Sequence, residues 1–247
     1  MSRFVGKLLH GCARIAMLMA EGVHVLKAIT IVVLAAAVSA QGRLDTSRMR
    51  IDLFAALSGD QEAVARALAA SERLLVESPD HPQALVWRGA ATIARSQRLL
   101  QDDREAGVAA FQQGIGDMDR AVELAPDDGE IRAVRGVLLA PLSRQMPPPF
   151  SERMLEKARS DYQRLFDLQR EVLVNIGEHP LGELLQGLGD IYSRQNKPDQ
   201  AERYYGMILT MLKDTEYSPR AAQWMRTRQP LPVAQTSCIG CHTGGRQ

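Results

Sequence analysis

Residues 181–214 read LGELLQGLGDIYSRQNKPDQAERYYGMILTMLKD, and the fold follows from how this stretch divides. Apolar residues recur at helical spacing on both sides of Asn196-Lys197-Pro198-Asp199. That tetrapeptide stops one helix and begins the next, with Asn or Asp available as a cap and proline tolerated in a first helical turn. The stretch is therefore one helix–turn–helix unit. Outward from it, residues 44–228 show little strand alternation, and Leu, Ala, Arg, Gln and Glu, all good helix formers, dominate. The same kind of punctuation recurs at Ser78-Pro79-Asp80, at Ala125-Pro126-Asp127-Asp128 and at Gly177-Glu178-His179-Pro180.

The spacing repeats as well. Pro79-Asp80 and Pro126-Asp127 lie 47 residues apart, as do Arg88-Gly89 and Arg135-Gly136, and Gly189 follows 53 residues after Gly136. Self-similarity on this scale is the mark of stacked helical pairs. Here the chain resembles the tetratricopeptide repeat (TPR) family. Leu188-Gly189, Tyr192, Ala201 and Tyr205 fall at that family's Leu-Gly, Tyr, Ala and aromatic positions. Ala121-Val122-Glu123-Leu124-Ala125-Pro126 is similar to its repeat ending, and Leu74-Leu75-Val76-Glu77-Ser78-Pro79 more weakly so.

The resemblance covers most of 61–214. It implies an all-α, TPR-like solenoid of about three helix pairs across 61–228, after an N-terminal segment at 41–60. Against the family's 34-residue period, 13 and 19 extra residues enter the two intervals, with Gln97–Ala106 and Pro147-Pro148-Pro149 as candidate insertions. Close packing explains the residue types: Gly189 and Ala201 are small where paired helices cross, and Tyr192 and Tyr205 fill the space beside them. Arg153, Glu156, Arg159 and Arg164 are expected on a solvated face as i, i+3 and i, i+4 pairs.

The remaining segment, 229–247, is a proline-containing tail that carries Cys238-Ile239-Gly240-Cys241-His242. This is the C-x-x-C-H pattern of covalent c-type haem attachment. Two thiols at that spacing add to the porphyrin vinyl groups, and the following imidazole ligates the iron. The third cysteine, Cys12, lies in a segment expected to be removed. A disulfide or free dithiol leaves His242 unexplained, and a zinc site lacks its second half-site. The pattern is similar to c-type cytochromes over Cys238–His242 alone. It implies one covalent haem c held by Cys238, Cys241 and His242, with His242 on the metal. Met225, Met211, Met207 and His179 are candidate sixth ligands, although core filling accounts for each methionine and capping for the histidine. Trp224 and Tyr217 fit either a haem face or packing against the preceding pair. Ten extended residues from Arg228 to Ser237 reach roughly 30 Å, so the haem peptide either folds back on the body or hangs clear.

Haem attachment of this kind takes place outside the bacterial cytoplasm, which predicts an export signal. Lys27 followed by the apolar run 28–38, with Val38 and Ala40 at the −3 and −1 positions, reads as a signal peptide over 1–40, cleaved before Gln41. The run is too short to span a bilayer, for which about 20 residues are needed. A buried helix is the alternative, and translation from Met17 or Met19 instead of Met1 gives a signal of ordinary length. The segment takes Arg3, Lys7, Arg14 and Lys27 from 30 basic residues and Glu21 from 29 acidic ones, leaving a near-neutral chain. That balance offers no electrostatic case for nucleic acid or an anionic membrane. With no catalytic triad and no phosphate loop, the expectation is a non-enzymatic periplasmic or otherwise extracytoplasmic protein. Its haem exchanges single electrons with a protein partner docked on the helical surface. The alternative is a non-redox TPR interaction module, including one assisting cytochrome c maturation.

Overall fold

Local sequence rules start the helices of this chain. Asp45, Asp60, Asp103 and Asp128 each accept a hydrogen bond from a backbone N–H of the first turn that follows. His81 does the same through Nδ1, 3.3 Å from the Ala84 N–H. Such caps satisfy donors that the helix itself leaves orphaned. The computed structural model describes residues 45–232, and among these every regular element is helical. The helices are α1 (Thr46–Leu57), α2 (Gln61–Glu77), α3 (Pro82–Asp102), α4 (Arg104–Leu124), α5 (Gly129–Leu142), α6 (Phe150–Gln169), α7 (Glu178–Arg194), α8 (Pro198–Met211) and α9 (Tyr217–Thr227). A 3₁₀ stretch, Arg170–Asn175, follows α6.

Successive helices pack as α1 with α2, α3 with α4, α5 with α6 and α7 with α8, and α9 lies against α8 and α7. The first helix of each pair also meets the helix before it, and α3 meets both α1 and α5. The packed body begins ahead of residue 61, because α1 buries Met49, Leu53 and Ala56. At Gln97–Ala106 the extra residues lengthen α3 and α4, and Asp103 caps the end of one and the start of the other. The proline loop is real, with a cis bond between Pro148 and Pro149.

Glycine sets how closely paired helices approach. A Cβ on Gly89 would lie 2.6 Å from the Gly114 carbonyl oxygen, and one on Gly114 would lie 2.7 Å from the Gly89 carbonyl oxygen. The backbones of α3 and α4 are thus nearly in contact. At Gly136 the obstacle is Tyr162, and at Gly189 it is Tyr205, whose Cε2 would be 2.7 Å away. The arginine before each repeated glycine has a matching task. Arg88 grips Asp117 with two bonds of 2.7 Å, α3 to α4. Arg135 grips Asp161 with bonds of 2.7 and 2.8 Å, α5 to α6.

Aromatic packing closes the C-terminal end. Tyr192 stacks on Tyr204, Phe166 meets Tyr204 edge-on, and Tyr205 stacks on Trp224 at 4.9 Å. The Gln163 Oε1 accepts from both Tyr192 and Tyr204 hydroxyls.

Candidate functional site

The helical pairs leave a groove along α5. One wall follows that helix from Gly129 through Ala133, Val134 and Val137 to Pro141. Leu53 and Phe54 of α1, Trp87 of α3, Tyr162 and Leu165 of α6, and Leu184 of α7 complete it. Its volume is about 460 Å³, within the range of small-ligand and peptide pockets. The lining is mainly apolar, with Arg50, Glu130, Gln169 and Glu183 at its polar points. Burial pushes the Glu130 carboxyl above the usual carboxylate range, and neighbouring Asp128 adds to the shift. Trp87 is 2% exposed, and its Nε1 has no hydrogen-bond partner among the described residues.

A smaller recess adjoins the Pro141 end of this groove and shares Val137, Pro141 and Tyr162 with it. Arg144 and Asp190 line the recess. The Arg144 Nη2 donates to Asp190 Oδ1 at 2.6 Å and to the Leu231 carbonyl oxygen at 3.0 Å. Leu231 is itself 1% exposed. The beginning of the tail is therefore pinned to the body instead of hanging clear of it. Arg228, with φ near 56°, ends α9 in the left-handed conformation and turns the chain toward that anchor.

Cys238, Cys241 and His242 lie outside the described residues, as does the whole 1–40 segment. The candidate sixth ligands fall within them. Met207, Met211 and Met225 are partly buried and packed against the core. His179 is exposed, and its Nδ1 sits 2.8 Å from the Tyr217 hydroxyl, which donates to Glu183 Oε1 at 2.9 Å. Trp224 and Tyr217 are 0% and 2% exposed. Packing explains both: the indole donates to Ser193 Oγ at 2.7 Å, and the Tyr217 ring fills the space over Gly182.

The predicted solvated face also has its pairs. Arg159 holds Glu156, bringing that carboxyl down to about 2, and Arg164 reaches Asp127. Sequence reasoning missed Arg144, Asp190 and Leu231. Only the apolar Leu231 between Pro230 and Pro232 hinted at an anchor. No protein-family model, curated protein or solved structure matches the chain.

Proposed function

We propose that this chain is an exported, TPR-like helical scaffold bearing one covalent haem c on its C-terminal tail, and that it exchanges single electrons with a docked protein partner. The observation that carries this reading is Cys238-Ile239-Gly240-Cys241-His242, whose two thiols are the only ones left once the signal is removed. The donor set fits the group. Cys238 and Cys241 would hold it, each thiol adding its S–H across a vinyl C=C to leave a thioether with no leaving group, and the His242 imidazole would ligate its iron. When bound, the haem would supply a ferric/ferrous couple suited to one-electron exchange between a reduced and an oxidised protein.

The body's residues would hold the tail and recognise the partner. Arg144 fixes the Leu231 carbonyl, which leaves seven residues to Cys238 as the tether. Paired helices, glycine crossings at Gly89, Gly136 and Gly189, and a groove along alternate helices support the TPR-like reading of the scaffold. The groove is also the observation that favours the second reading, a non-redox interaction module.

A pyridine haemochrome spectrum of the denatured exported protein, made in cells competent for cytochrome c maturation, separates the two. A covalent haem band that is lost in Cys238→Ala/Cys241→Ala supports electron transfer. A colourless wild-type protein, correctly exported, overturns it in favour of the interaction module.

A further inference from the structure

We infer that the groove along α5 is the docking site of the chain's own C-terminal tail, residues 233–247, laid down from the Pro141 end. Leu231 is buried and its carbonyl is held by Arg144, three residues beyond Pro141. Arg144 lines a recess that shares Val137, Pro141 and Tyr162 with the groove. The tail therefore leaves the body at one end of the groove.

Its length suits the distance. Pro141 lies twelve helical steps from Gly129, about 18 Å at 1.5 Å per residue. Six residues lie between Leu231 and Cys238, seven steps of roughly 3.1 Å or about 22 Å when extended. Cys238–His242 can thus be brought over the apolar wall formed by Val134, Val137, Phe54 and Leu184.

Tethering gives the tail an advantage over any free ligand. A short linker holds its end at millimolar effective concentration, so an intrinsic affinity of only about 0.1 mM keeps the groove closed about 90% of the time. A partner peptide would have to displace the tail to enter.

The test is carbene footprinting of the full exported chain against a chain ending at Pro232. Phe54, Val134 and Val137 are partly exposed and report on the groove. Labelling at these three should rise about ten-fold on truncation, with that of exposed Val76 on α2 unchanged. In the full chain, Val134→Lys should expose Phe54 and release residues 233–242 to rapid hydrogen exchange, while protection within α3 to α8 stays as in the wild type. Equal labelling of full and truncated chains, or a tail that exchanges at the same rate with and without Val134→Lys, overturns the inference.

Haem-free Cys238→Ala/Cys241→Ala protein is footprinted in parallel. Masking that persists without haem supports docking by the peptide itself. A wild-type chain that never acquires haem refutes the proposed redox function, while these footprints still decide whether the tail docks.

Discussion

Gly89→Ala should destabilise the protein although it adds a good helix former to the middle of a helix. In an open helical position, glycine to alanine gains roughly 0.5–1 kcal/mol through chain entropy and helix propensity. Gly116 is such a position: it lies in α4, is exposed, and a Cβ there meets nothing within 4 Å. At Gly89 the new methyl would sit 2.6 Å from the Gly114 carbonyl oxygen and 2.7 Å from Met118 Cγ. Methionine can swing aside, but the carbonyl belongs to the backbone of α4. Ordinary contact requires α3 and α4 to part by something under 1 Å, and loosened dispersion contacts along two 21-residue helices follow. Overpacking of this kind costs about 1–3 kcal/mol, which outweighs the propensity gain. At about 2–4 °C per kcal/mol for a body of this size, Tm should fall by a few degrees in Gly89→Ala and rise slightly in Gly116→Ala. Gly114→Ala should behave like Gly89→Ala. Their double mutant should cost less than the sum, because one separation relieves both clashes. Thermal and urea melts followed by circular dichroism at 222 nm measure all four variants. If Gly89→Ala and Gly116→Ala stabilise equally, the close approach of α3 and α4 is wrong.

Further consequences concern buried polar groups. Asp161 is fully buried and takes bonds from Arg132 and Arg135. Arg135 keeps Asp119 at 2.8 Å, so Asp161→Asn mainly strips Arg132 of its carboxylate and should lose about 3 kcal/mol, the low end for a broken buried pair, by urea denaturation. Asp52 is 4% exposed at its side chain; burial pushes its carboxyl up, but Arg66 and Arg48 outweigh that and hold it below the usual value. Its contribution is therefore present above the unfolded-state value near pH 4 and lost as pH falls through the folded one. Asp52→Asn should cost about 1–2 kcal/mol at pH 7, a gap to the wild type that closes in acid melts. The Tyr205 hydroxyl is buried without a partner among the described residues, and Tyr205→Phe keeps the ring on Trp224. That variant should match or exceed wild-type stability, by up to about 1–2 kcal/mol in the same melts.

The sequence was most legible where the physics is local. Helix existence and the turns at 78–80, 125–128, 177–180 and 196–199 depend on residues within about four positions of one another. Of the Asp and Asn caps expected at those turns, however, only Asp128 forms: His81 caps at the first, and the helices starting after Gly177 and Lys197 have no side-chain cap. Gly189 was legible as a crossing point through its resemblance to the repeat family, and Tyr205 does fill the space above it. The haem-attachment reading is local in the same sense, since it rests on five consecutive residues. Two other features could not be read along the chain, for a common reason. Nothing nearby says whether the extra residues at Gln97–Ala106 lengthen helices or loop out, and the prolines flanking Leu231 hint at an anchor without showing what it meets.

By itself, then, the amino-acid order determined the all-helical class, the punctuation between helices and the chemistry available on the tail. The tertiary structure decided which partners those residues met. Arg88 finds Asp117 at a separation of 29 residues, Arg135 finds Asp161 at 26, and Arg144 finds the Leu231 carbonyl at 87. Hydrogen-bond periodicity and capping act within one turn of the backbone, so they can be read along the chain. Grooves, buried ion pairs and anchors arise only when surfaces distant in sequence exclude water between them, and that depends on how every helix in between has packed.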